Sequence, residues 1–161
     1  MSVTFYGGKG LEQDLTYRRQ LIMGYQKELE PLMRYMNWLE DKNGKKVSSL
    51  YKGDNDNTIA FPVYDGTLLA FVKEAAKTSL MDRNYMYLYN RYSMPTPKDE
   101  RERIEKVTIK DLEILPGVLS KYVLGGMTKG YVWPIAVEEG IFLAILKKMK
   151  ELETLWCQPT V

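Results

Sequence analysis

The stretch from Gly125 to Trp133, Gly-Gly-Met-Thr-Lys-Gly-Tyr-Val-Trp, sets three glycines, a hydroxyl, an ammonium and two aromatic rings just ahead of a predicted helix. A helix start presents unpaired N–H groups and partial positive charge, so a loop of this build can receive an anion. Lys129 would add a charge, Thr128 a hydroxyl, and Tyr131 and Trp133 a stacking surface. The GxxxxGK[ST] spacing of a phosphate-binding P-loop is absent, and glycines between helices also serve as plain turn-makers. Both readings stand at this level.

The helix expected after the loop carries an anomaly. At about 100° per residue, Phe142, Ile145, Met149 and Leu152 form one stripe, and Glu138 falls on the same stripe while Glu139 points elsewhere. A carboxylate on a buried face has to be hydrogen-bonded, ion-paired or protonated. Glu138 therefore either lies at the rim, in water and in a favourable helix dipole, or lines a cavity shared with Lys129, Arg83 or Lys121.

A second cluster is Asp82, Arg83, Asn84, Tyr85, Tyr89, Arg91 and Tyr92. Arginine among tyrosines is a frequent make-up of protein interfaces and of ligand sites that stack rings. It is equally the make-up of a helix whose tyrosines pack on a core and reach water with their hydroxyls. Asp82 and Glu138 would be the carboxylates for acid–base work if the fold brought them together.

Composition removes other chemistries. The chain of 161 residues has no histidine, so imidazole bases, Ser-His-Asp triads and His–zinc sites are excluded. One cysteine, Cys157, builds neither a disulfide framework nor a cysteine-rich zinc site, and no basic residue adjoins it to activate a thiolate. The formal net charge is +2, without a basic block, so the electrostatic footprint of a nucleic-acid binder is missing. No run approaches the roughly 18 apolar residues of a bilayer span, and Met1–Gly10 lacks a signal pattern. A cytoplasmic protein with no membrane partner is expected.

The elements that must position these residues are mostly helical. Tyr25, Leu29, Leu32, Met36 and Leu39 recur at spacings of four and three within a helical pattern over 11–39, which Pro31 kinks or restarts. Asn43-Gly44 marks a turn, and two short strands forming a hairpin fit between Val47 and Tyr64. Asp65 suits the N-cap of a helix over 66–77. Residues 81–92 fit a helix better than a strand, Ser93–Pro97 reads as a rigid linker, and the mixed charge run Lys98–Lys106 reads as a solvated helical face. Thr108 with Asp111 suggests a cap for a helix ending at Gly125-Gly126, and a last helix is expected from Trp133-Pro134 to about Leu152. The expected fold is mainly α, a compact single-domain helical bundle with a small β-hairpin near 47–64. Residues 1–10 are expected as a flexible arm, 11–155 as the helical domain and 156–161 as a tail.

MDRNY at Met81–Tyr85 and KYVLGGMTKGYVWPIAVEEGIF at Lys121–Phe142 resemble a family of small uncharacterised bacterial and phage proteins, a domain of unknown function, over about Asp65–Leu152. The resemblance implies a compact helical domain and transfers no catalytic residue. It draws attention to Asp82, Asn84 and Tyr85, and to Thr128–Trp133 with Glu138 and Glu139. The first 60 residues lie outside it.

The leading expectation is a non-catalytic binding protein that sequesters an anionic, nucleotide-like small molecule, with no cofactor and no metal. Phage-type antagonism of a nucleotide immune signal is what the resemblance would imply. Its ligand-binding residues would be Arg83, Asn84, Tyr85, Lys121, Thr128, Lys129, Tyr131, Trp133 and Glu138, in a homo-oligomer. The alternatives are a protein-interaction module inhibiting a host protein complex, and a carboxylate- and magnesium-dependent hydrolase using Asp82, Glu138 or Glu139.

Overall fold

The computed structural model describes the backbone of residues 2–51 and 61–157, and the side chains of 12–49 and 63–157. Helix α1 spans Ser2–Leu29, so residues 2–10 extend it where a flexible arm is expected. Once residues 11–29 form a helix, each further residue gains a hydrogen bond without a new nucleation cost. Pro31 lacks an N–H and cannot continue the α-ladder, and the chain tightens into a 3₁₀ turn over Glu30–Tyr35 before α2, Met36–Lys42. The stripe survives this break. Leu29, Leu32 and Leu39 are fully buried, with Tyr25 and Met36 packed at its margin.

Gly44, at φ 78°, turns the chain into the hairpin of β1, Ser48–Tyr51, and β2, Phe61–Tyr64, paired antiparallel. The start of the apolar run at Ile59 lies outside the described residues. Asp65 caps α3, Gly66–Ala76, by accepting from the Thr67 N–H at 2.7 Å. Only Met86–Arg91 of the tyrosine-rich segment is helical (α4), and residues 83–85 ahead of it form a turn. The expected linker instead starts a helix. Thr96 and Asp99 make a reciprocal capping box, with Pro97 in the first turn of α5, Pro97–Glu105. Thr108 and Asp111 bond each other in a local turn, and α6, Ile114–Gly125, begins only at Ile114.

The expected last helix is two helices. Gly140 adopts φ 74°, a left-handed conformation that ends α7, Val132–Glu138, and redirects the chain into α8, Ile141–Trp156. Glu138 therefore closes α7 and does not extend the apolar stripe of α8. That stripe, Phe142, Ile145, Met149 and Leu152, is the spine of the core, against which α1, α2, α5, α6 and α7 pack. Phe142 meets Phe71 of α3 at 4.7 Å between ring centroids and Tyr122 of α6 at 6.3 Å. Burial of each such side chain is worth about 1.5–3 kcal/mol. The result is a mainly α domain with one small β-hairpin. Among the described residues no helix is long and apolar enough to cross a membrane.

Candidate functional site

The surface opens into a cleft of about 420 Å³ between Tyr25 of α1, the segment from Ser79 to Arg91, and the start of α6. Its wall is set by three attachments. The Asp82 N–H donates to Ser120 Oγ at 2.9 Å, and the Asp82 carboxylate accepts from the Asn84 N–H at 2.8 Å, which fixes the turn. Leu88 lies in a notch at Gly117, where a Cβ would collide with its side chain. Tyr89 reaches past Lys121 to Glu100. Asn84, Tyr85 and Tyr87 then face the opening with Arg91 and Glu113. Tyr92 donates to Glu113 at 3.0 Å, and the Arg91 guanidinium stands 3.9 Å from the same carboxylate. Burial, then the nearby Glu113, raises the Tyr25 hydroxyl above its ordinary pKa. A second depression of about 480 Å³ continues along α1, sharing Tyr25, Ser79 and Leu80.

Beside this wall lies a residue that the sequence reading missed. Glu100, in the charge run expected as a solvated face, is fully buried. Its carboxylate accepts from the hydroxyls of Tyr89 and Tyr122 and from Lys121 Nζ, the last at 2.7 Å. The Lys121 ammonium also sits 4.7 Å from the Tyr89 ring centre and 4.9 Å from that of Tyr122. Burial, followed by the Glu100 charge, pushes Tyr89 far above the ordinary tyrosine range; burial and hydrogen bonding to Glu100 do the same for Tyr122. A carboxylate with an ammonium and two phenols is a satisfied buried network. The available signal was spacing: Glu100 precedes buried Ile104 by four residues, on the same helical face.

The glycine-rich loop is organised around aromatic packing. A Cβ on Gly126 would fall inside the Trp133 indole, whose Nε1–H donates to the Val123 carbonyl at 3.2 Å. A Cβ on Gly130 would lie 2.7 Å from the Tyr64 hydroxyl, and the Tyr64 and Trp133 rings meet edge-on at 6.1 Å. Two of the amides at this helix start are already engaged: Val132 N–H donates to the Lys129 carbonyl and Trp133 N–H to that of Gly130. Thr128, Lys129 and Tyr131 are exposed.

The nine expected binding residues thus fall into separate surroundings. Asn84 and Tyr85 line the cleft, with exposed Arg83 beside them. Tyr85 links the cleft to the loop, its hydroxyl 3.8 Å from where a Gly125 Cβ would stand. Lys121 faces Glu100, and Trp133 is packed. Glu138 is half-buried and holds the turn before the hairpin; its carbonyl accepts from the Gly44 N–H at 2.8 Å and its carboxylate from the Val47 N–H at 3.4 Å. Asp82 and Glu138 have different partners and do not form a pair. Among the described residues no three metal-ligating side chains converge. No family model, curated protein or solved structure matches the chain.

Proposed function

We propose that this chain is a non-catalytic binding protein that docks a partner protein at the cleft beside α4, as an interaction module would. The observation that carries this is the character of the rim. Met86 is 56% and Tyr87 74% exposed, next to a cleft that already holds Tyr25, Tyr85 and Arg91. Tyrosine, methionine and arginine are the residues enriched at protein interfaces, where a ring over a pocket supplies most of the binding energy. The two carboxylates of the cleft, Asp82 and Glu113, outnumber its one cation, Arg91, which disfavours an anionic ligand there.

Sequestration of a nucleotide-like molecule is the second reading. It is favoured by one feature: Asn84, Tyr85 and Arg91 share a cleft within the roughly 300–1,000 Å³ usual for small ligands. The test is affinity capture from a host lysate with the native protein and with Tyr87→Ala, whose exposed ring leaves the fold intact. A single stoichiometric protein retained by the first and lost by the second supports the docking reading. If no protein is retained, and denaturation after incubation with a nucleotide panel releases an intact compound in stoichiometric amount, the second reading replaces it.

A further inference from the structure

We propose that residues 81–92 form a lid over the cleft and that the Tyr89 hydroxyl on Glu100 is its latch. The role of the lid at the cleft rests on the binding reading above; its opening does not. Helix α4 has six residues and buries none of them. A helix that short does not hold itself in water, so its position depends on its attachments. They are the Asp82 N–H on Ser120, Leu88 in the Gly117 notch, Tyr89 on Glu100, and at the far end Tyr92 and Arg91 on Glu113. The first two are a neutral hydrogen bond and a half-buried aliphatic contact. Tyr89 and Tyr92 both donate to carboxylates, the stronger kind of hydrogen bond, but Glu113 is 42% exposed and water competes for it, whereas Glu100 is buried and water does not.

Both ends of the segment are pinned. Ser79 N–H and Oγ–H donate to Glu28 of α1 on one side, and Met94, 4% exposed, is held in the core on the other. The stretch between them can swing about residues 80–81 and about the bend at Tyr92 while the core stays in place, the Tyr92 hydroxyl leaving the half-exposed Glu113 as it does so. Its outer side carries the exposed Met86 and Tyr87, so opening changes the same rim that the binding reading uses.

Native-state hydrogen exchange on the whole protein, read across a series of low urea concentrations, tests this without any ligand. Amides of Met86–Tyr92 should exchange with almost no urea dependence, the mark of local opening, while those of Ile145–Met149 in α8 follow the full dependence of global unfolding. Tyr89→Phe should speed exchange of the lid amides by about tenfold or more, with their urea dependence still near zero. Gly117→Ala, which displaces Leu88 and leaves Tyr89 in place, should act in the same direction. Lid amides whose urea dependence matches that of α8, or whose rate is unmoved by Tyr89→Phe, would overturn the proposal. Either failure leaves the docking reading standing, because no partner enters the experiment.

Discussion

Replacing Glu100 with alanine removes the acceptor shared by two phenols and an ammonium. Tyr122 is 3% exposed, so its hydroxyl has no route to bulk water and is left unpaired inside the protein. Each orphaned buried donor costs about 1–3 kcal/mol, and breaking a buried ion pair by deleting one partner costs about 3–5 kcal/mol. The Lys121 side chain retains 36% exposure, so water compensates much of its loss, and the total stays near about 3–5 kcal/mol. With a urea slope of about 2 kcal/mol per molar, the unfolding midpoint should fall by about 2 M at unchanged slope. Glu100→Gln keeps the volume and one acceptor oxygen, and should lose about half as much. The triple variant Glu100→Leu, Tyr89→Phe, Tyr122→Phe removes the donors together with the acceptor. It should be more stable than Glu100→Ala alone, because no buried hydroxyl is left unpaired. Equilibrium urea unfolding followed by far-ultraviolet circular dichroism measures all three. A Glu100→Ala midpoint within the error of the native protein would refute the argument that this carboxylate holds α4, α5 and α6 together.

Other consequences follow from the same geometry. Tyr89 and Tyr122 titrate higher in the folded protein than the unfolded value of 10.0, so the stabilisation they report is complete below that pH and is lost as pH rises above it. Melting temperature should therefore fall increasingly steeply above about pH 10, and the slope should flatten in Tyr89→Phe, Tyr122→Phe; equal slopes would contradict this. Gly126→Ala places a methyl group within the Trp133 ring and should destabilise by about 3 kcal/mol, at the upper end of overpacking, whereas alanine at the open Gly24 should not; thermal melts of the two compare them. Burial raises the Cys157 thiol, so its reaction with a thiol reagent at pH 8 should be slower than that of free cysteine and should accelerate on unfolding; an unchanged rate in urea would show the thiol is already accessible.

Local chemistry was legible wherever it acts within a few residues. The apolar stripe through Leu29, Leu32 and Leu39, the Asn43-Gly44 turn, the Asp65 cap and the Phe142–Leu152 spine could be read from spacing, because helix periodicity, positive φ and capping depend on neighbours along the chain. The mainly α class with one hairpin follows from them. Boundaries were less legible. Gly140 carries no mark in the sequence separating a tolerated helical glycine from the left-handed break it makes. The break moves Glu138 off the buried stripe and gives it to the turn before the hairpin. Likewise, the Gly125–Trp133 loop has the composition of an anion receptor, yet its glycines make room for its own Trp133, folded back from the start of α7, and for Tyr64 on β2. Glu100 is the clearest case. Its neighbours along the chain are charged, and nothing within α5 announces a buried carboxylate beyond its spacing from Ile104. Tyr89, Lys121 and Tyr122 stand 11 to 22 residues away and meet it only in the tertiary fold, where burial makes the partners of a charge mandatory. Sequence determined the helical class and the apolar faces through Leu29–Leu39 and Phe142–Leu152; the fold decided where helices break and which charges and rings meet, because hydrogen bonds and steric exclusion act through space and not along the chain.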